Sequence, residues 1–383
     1  MVQGRIRLVV IATVLLSVGT ATYAYADSRR GPRPRDAAPC GTLSATERAR
    51  AERCVRPRPP ARSTSAAPAP ASTAPARSAS ASAGNSTSPS ATPPSRSGTC
   101  PNAKHVPGGP DGFGGCWPYA GNTGIPTGTV LSAYTGPCTV TTADLVLDAK
   151  TVKCDPMVIK ARNVRITRTK INGSVLVDAP NAGYSFTITD SEVDAGPIAP
   201  GDTDDNSAIG KSNFTATRVN THGGKRGIWC EYACTVQDSW VHGQAPDPSG
   251  VAHESGIRMG DGATIRHNSI TCDAPDFPPD AGCSAGLTGY GDFAPIRNNT
   301  ILRNLFVAST GGTCAYGGAS GDDGSKPYGK QSGNITFQEN VFQRGRGGKC
   351  GYYFPITDFD SSRPGNRWID NRWDDGTVLP PAN

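Results

Sequence analysis

The chain has 383 residues, 36% of them hydrophobic and 18% charged, with 46 Gly, 33 Pro and 12 Cys. Its formal charge of +6 is uneven: residues 27–99 hold twelve Arg against Asp27, Asp36, Glu47 and Glu52, so residues 100–383 are mildly acidic. That balance argues against a nucleic-acid footprint on the folded part, and nothing after the N-terminus is long and apolar enough to span a bilayer.

Arg5 and Arg7 precede the apolar run Leu8 to Val18, and Ala24-Tyr25-Ala26 supplies a small-x-small cleavage pattern. Residues 1–26 therefore read as a signal peptide, and the mature chain is expected to be secreted, soluble and monomeric. Residues 27–62 are basic and contain Cys40 and Cys54, between which Ser44 and Glu47 make a capping-box pattern for one short, disulfide-closed helix. Residues 63–99 are almost wholly Ser, Ala, Pro and Thr, with Arg77 and Arg96 as their only charges. Such a segment has no apolar surface to bury and reads as a disordered linker.

The cysteines fit an oxidising compartment. Sequence neighbours suggest Cys40–Cys54, Cys100–Cys116, Cys138–Cys154, Cys230–Cys234, Cys272–Cys283 and Cys314–Cys350, although spacing alone does not fix connectivity. Zinc at Cys230-x-x-x-Cys234 is disfavoured, because no second Cys/His pair lies nearby.

Residues 100–383 form the folded domain, and a repeat sets its class. Apolar residues recur five positions apart as Leu147/Val152, Ile166/Ile171, Ile188/Val193, Phe214/Val219 and Val236/Val241. The series continues with Ile265/Ile270, Ile296/Ile301, Phe337/Phe342 and Trp368/Trp373. Three residues after the first member stand Thr169, Ser191, Thr217, Ser239, Asn268, Asn299, Asn340 and Asn371; only Lys150, in the first repeat, departs. Short Val/Ile/Thr-rich runs between Gly and Asn make strands. A buried polar residue at one fixed corner needs a partner, and stacking on its own copies supplies one. The expectation is an all-β, single-stranded right-handed parallel β-helix of about nine rungs, roughly 40 Å long at about 4.8 Å per rung.

With these pairs and this ladder, residues 145–375 resemble the pectin-lyase-like superfamily of right-handed β-helices. Gly121 to Pro126, His253 to Arg258 and Gly286 to Phe293 resemble phrases of secreted actinobacterial β-helix proteins. That superfamily includes polysaccharide lyases, glycosidases, esterases and non-catalytic adhesins, so the resemblance selects no reaction. It implies that the ladder lies between the second and third strands of a rung. It also implies that the outer face of the first strands lines a cleft. Carried over, Ile228, Ile257 and Leu287 point inward, and Trp229, Arg258 and Thr288 share one outward column. Arg226 joins Trp229's environment if the strand bends at Gly227.

The loops feeding those strands bring in His222, Lys225, Arg226, His253, Glu254, Asp261, Tyr290 and Asp292. His267, beside the ladder, is excluded from the cleft. This set suits an acidic polysaccharide. Trp229 would stack on a sugar, with Lys225, Arg226, Tyr290 and Asp292 as further binding groups. For β-elimination, Arg258 would neutralise a uronate carboxylate and His253, with His222 second, would remove the adjacent proton. Calcium is an alternative neutraliser, with the acidic run Asp202, Asp204 and Asp205 at hand. Hydrolysis would need a carboxyl pair, for which Glu254 and Asp261 are the candidates. A non-catalytic glycan-binding or structural module is the competing class, with Trp229, Tyr316, Tyr352 and Tyr353 as platforms and residues 311–330 as a flap or an inserted turn.

Overall fold

Short apolar and polar alternations broken by Gly and Asn give strands of two to fourteen residues and, among the described residues, one 3-10 turn at Gly329–Gln331. This computed structural model describes residues 99–199 and 206–381. The expected signal peptide, the expected Cys40–Cys54 helix, all but the last residue of the expected linker, and Asp202, Asp204 and Asp205 lie outside the described residues.

The strands assemble into two long parallel sheets, one of ten strands and one of fifteen, an all-β arrangement compatible with a parallel β-helix. In the larger sheet Leu147 pairs with Ile166, Ile166 with Ile188, Ile188 with Ala216 and Ala216 with Val236. That row continues through Ile265, Ile301, Phe337 and Trp368. In the ten-stranded sheet the row Val152, Ile171, Val193, Thr221, Val241, Ile270, Phe306, Phe342 and Trp373 answers it. Most of these side chains are fully buried, and the Phe306 and Phe342 rings stack 4.5 Å apart.

Two repeats differ from the sequence reading. The pair expected as Phe214/Val219 is Ala216/Thr221, and the pair expected as Ile296/Ile301 is Ile301/Phe306. The ladder moves with them. Asn268 Nδ2 donates to Asn304 Oδ1 at 2.9 Å, Asn304 Nδ2 to Asn340 Oδ1 at 3.0 Å, and Asn340 Nδ2 to Asn371 Oδ1 at 2.8 Å. Asn304 thus takes the place expected for Asn299. Asn299 is buried elsewhere, donating to Gly260 O and accepting from Ala263 N. Val219 takes the place of Thr217, using its backbone N–H as donor to Ser239 Oγ at 3.1 Å.

The residue before each ladder position is left-handed. Ala149, Arg168, Asp190, Arg218, Asp238, His267, Arg303, Glu339 and Asp370 all have φ between +48° and +53°. A second bend crosses the three longest strands, Ser207–Thr217, Arg226–Gln237 and His253–Arg266, at left-handed Asn213, Ala233 and Gly262. The bend lets those strands pair with different neighbours along their length: His253–Arg266 meets Gly282–Thr288 first and Arg297–Leu302 afterwards.

Five of the expected disulfides are present, Cys100–Cys116, Cys138–Cys154, Cys230–Cys234, Cys272–Cys283 and Cys314–Cys350, with Cα–Cα distances of 5.5–5.8 Å. Residues 100–126 run as a strap across the left-handed corner. Gly124 N donates to Arg218 O, Asp111 pairs with His267, Phe113 lies under Arg303, and Gln343 donates to His105 O. Trp117 is fully buried against the His267 ring. At the other end, the chain folds back so that Trp368 Nε1 donates to Leu379 O. Among the described residues no helix is long and apolar enough to cross a membrane.

Candidate functional site

The strands Arg226–Gln237, His253–Arg266 and Gly282–Thr288 lie side by side, with Ile228, Ile257 and Leu287 in register and fully buried. Period-two alternation then turns their neighbours outward, and Trp229, Arg258 and Thr288 do share one register column. Glycine is required just before these positions. A Cβ on Gly227 would lie 2.4 Å from Val241 Cγ1, and one on Gly256 would lie 2.5 Å from Gly286 O.

Above this column lies a cavity of about 320 Å³. Lys225, Arg226, Arg258 and Lys326 line it, against a single carboxylate, Asp292; His253, Ser255, Ser284, Thr288 and Tyr290 complete most of the wall. Like Lys225 and Arg226, Arg258 is buried. Its Nη2 is 3.1 Å from Asp292 Oδ2, and its guanidinium carbon lies 5.7, 5.3 and 4.9 Å from the rings of Trp229, Tyr290 and Phe293. Lys326 Nζ holds the other Asp292 oxygen at 2.8 Å. Burial opposes ionisation of Asp292, but hydrogen bonds from Lys326 and Arg258 outweigh it and keep the carboxyl below its ordinary range.

Trp229 sits beneath the cations, only 5% exposed, with Lys211 Nζ 4.9 Å and the Arg226 guanidinium 5.3 Å from its ring centre. Arg226 thus reaches Trp229's outer environment. The ring is a floor for positive charge rather than an open sugar platform, which corrects that expectation.

His253 stands at the rim, half exposed, with Nε2 3.2 Å from Asp280 Oδ2. It also borders a neighbouring hollow walled by residues 276–284. Glu254 points away from the cavity and is fully buried, with both carboxyl oxygens lacking a hydrogen-bond partner. Burial, reinforced by the nearby Asp247 charge, pushes its carboxyl up to about 7.

Two expected residues lie elsewhere. His222 belongs to the strand Asn220–His222 of the ten-stranded sheet, with Nε2 3.2 Å from Glu192 Oε1 and Nδ1 3.6 Å from Asp194 Oδ1. The Glu192 hydrogen bond raises its pKa. The left-handed turn at Gly223 and Gly224 intervenes before the chain enters the first strand at Arg226. Asp261 lies three residues beyond Arg258, about 10 Å along an extended strand. There it pairs with Arg297 Nε and accepts from Asn298 Nδ2, each at 2.8 Å.

Lys326 is the charged cavity residue that sequence reasoning missed, and Val251, Ser255 and Ser284 were not singled out either. Lys326 arrives within residues 311–330, expected as a flap or an inserted turn. Thr313–Tyr316 of that span is instead a strand of the larger sheet, and the Gly-, Ser- and Asp-rich residues 317–330 that follow carry no local sign that one lysine turns back. Among the described residues, no group of three or more His, Cys, Asp or Glu is placed to hold a metal ion. Cys230 and Cys234 are bonded to each other.

Comparison with protein-family models, curated proteins and solved structures finds no match to this chain. The cavity itself is a positively charged, hydroxyl-lined recess on a parallel sheet, with a histidine at its rim.

Proposed function

We propose that the protein is a secreted, right-handed parallel β-helix of about nine rungs, resembling the pectin-lyase-like superfamily, that binds an acidic, uronate-containing polysaccharide and cleaves it by β-elimination. The observation that carries this reading is the gathering of Lys225, Arg226, Arg258 and Lys326 around one cavity that contains a single carboxylate. Such a wall attracts an anion and repels few of its charges. The five disulfides suit an extracellular setting, as does the N-terminal signal pattern.

In the proposed reaction Arg258 pairs with the uronate carboxylate and lowers the cost of negative charge developing beside it. His253 takes the proton from the carbon next to that carboxylate. The electron pair left behind forms the new C=C bond, and the glycosidic oxygen leaves with a proton from solvent or a wall hydroxyl. Hydrolysis finds less support. The Glu254/Asp261 pair is split between a buried site and the Arg297 ion pair, and Asp292 is tied between two cations.

The test is a screen of the purified protein on uronate-containing and neutral glycans, read by the ultraviolet absorbance of unsaturated products. Uronate-dependent absorbance is the expected result; saturated reducing ends without it would replace elimination by hydrolysis. Binding without any product would favour the glycan-binding module, a reading supported by the exposed aromatics Tyr352 and Tyr353.

A further inference from the structure

We propose that Tyr352, Tyr353 and Phe354 form a second, uncharged subsite that stacks on sugar rings of the same polysaccharide whose charged units occupy the cavity. This inference rests on the acidic-polysaccharide reading above. Tyr352, Tyr353 and Phe354 are 73%, 58% and 55% exposed, in a protein that buries most of its other large apolar side chains. Three adjacent exposed aromatic rings are not explained by folding, which would gain from covering them. Tyr352 and Tyr353 meet edge to face at 4.6 Å, and Phe354 follows 6.3 Å from Tyr353, so the rings form one ridge.

The ridge is held in place. Tyr352 N donates to Gly311 O at 2.9 Å and Tyr353 N to Gly312 O at 2.8 Å. The disulfide Cys314–Cys350 clamps the same two segments together just beside these bonds. The ridge is also continuous with the site. Gly311 packs directly on Cys283 and Ser284, and Ser284 lines both the cationic cavity and the neighbouring hollow. From Ile257, beside Arg258, through Leu287 and Ala315 to Ile356, two residues after Phe354, the chain advances three strands, about 14 Å at the spacing of parallel strands. A polysaccharide lying along the stack would therefore place some units over the cations and later ones over the ridge.

The chemistry favours sugar over a protein partner. A pyranose has apolar C–H faces and a hydroxyl edge, which match an aromatic ring carrying a polar tip, as two of the three have. Stacking on neutral ring faces is also indifferent to the carboxylates that the cavity selects. The ridge would therefore add length dependence rather than charge selectivity.

The experiment measures binding of galacturonate oligosaccharides of two and six units, and of neutral cellohexaose, by calorimetry. It uses the mature chain in a His253→Ala background, with and without Tyr352→Ala/Tyr353→Ala. The ridge variant is expected to weaken the six-unit uronate roughly tenfold or more, to leave the two-unit uronate unchanged, and to keep the parent melting temperature. Unchanged six-unit binding would overturn the ridge while leaving the uronate reading intact. Ridge-dependent cellohexaose binding without uronate binding would uphold the ridge and overturn the uronate reading. Absence of binding by either hexasaccharide, or a dimer that dissociates in the ridge variant, would overturn the ridge as a sugar subsite.

Discussion

Arg258 is constrained on every side, by Asp292 and by the rings of Trp229, Tyr290 and Phe293. A planar guanidinium uses all of these contacts, whereas a lysine ammonium would keep the charge and lose the stack. Arg258→Ala should therefore abolish elimination on uronates, and Arg258→Lys should restore only part of it, as steady-state rates on a uronate polymer would show. His253→Ala should lower kcat by roughly 10²–10⁴ with KM little changed; full activity in that variant would remove it as the base. Glu254 allows a different measurement. Burial pushes its carboxyl up to about 7 from an ordinary value near 4.5, so the unfolded chain ionises first. Its contribution to stability is intact below about pH 4.5 and is lost as pH rises towards 7, a change on the order of 2–3 kcal/mol. Denaturation midpoints of Glu254→Gln and the parent, compared at pH 4.5 and 7.5, should show the variant gaining relative stability at the higher pH. A pH-independent difference would refute the buried titration.

At the scale of the element, the ladder sets the register, and each asparagine serves two neighbours. Asn304→Leu removes a donor from Asn340 and an acceptor from Asn268. Leaving those buried amides short of partners should cost about 1–3 kcal/mol in equilibrium unfolding. Alternating apolar runs and repeated corners made the parallel sheets legible from residues alone. The exact register was legible only where both pair members are large and apolar. Ala216/Thr221 failed that template because the stack there accepts a methyl and a threonine, and Val219 shows that a backbone N–H can hold a ladder position without a polar side chain. Ile296/Ile301 satisfied the template falsely, since both isoleucines are buried and Asn299 stands between them, also buried. The site divides in the same way. Trp229, Arg258 and Thr288 were reached by combining strand alternation with the strand placement the resemblance implies, whereas His222 and Lys326 depend on where a glycine turn and the segment after Tyr316 direct the chain. Neither periodicity nor composition records that.

At the scale of the molecule, the strap of residues 100–126 ties its corner through the His267 ring, which lies between Asp111 at 3.1 Å and Asp238 at 2.8 Å. Burial opposes charging of this ring, but the hydrogen bonds its two N–H groups donate to Asp111 and Asp238 prevail and raise its pKa to about 9. A histidine raised in the folded state stabilises fully below about pH 6.5, and that contribution is lost as pH climbs through 9, on the order of 2–3 kcal/mol. Melting temperature should fall across this window in the parent and change less in Asp111→Asn. A stack of repeats is close to one-dimensional, since each layer touches mainly the next and can be peeled from an end. The strap alters that mechanics. It grips backbone or side chains at Arg218, His267, Arg303 and Gln343, which belong to different layers. A pull entering near Cys100 is therefore shared as shear among layers that would otherwise open one after another. In a single-molecule stretching experiment the protein should resist until one large event, whereas Asp111→Asn should yield earlier and in smaller steps.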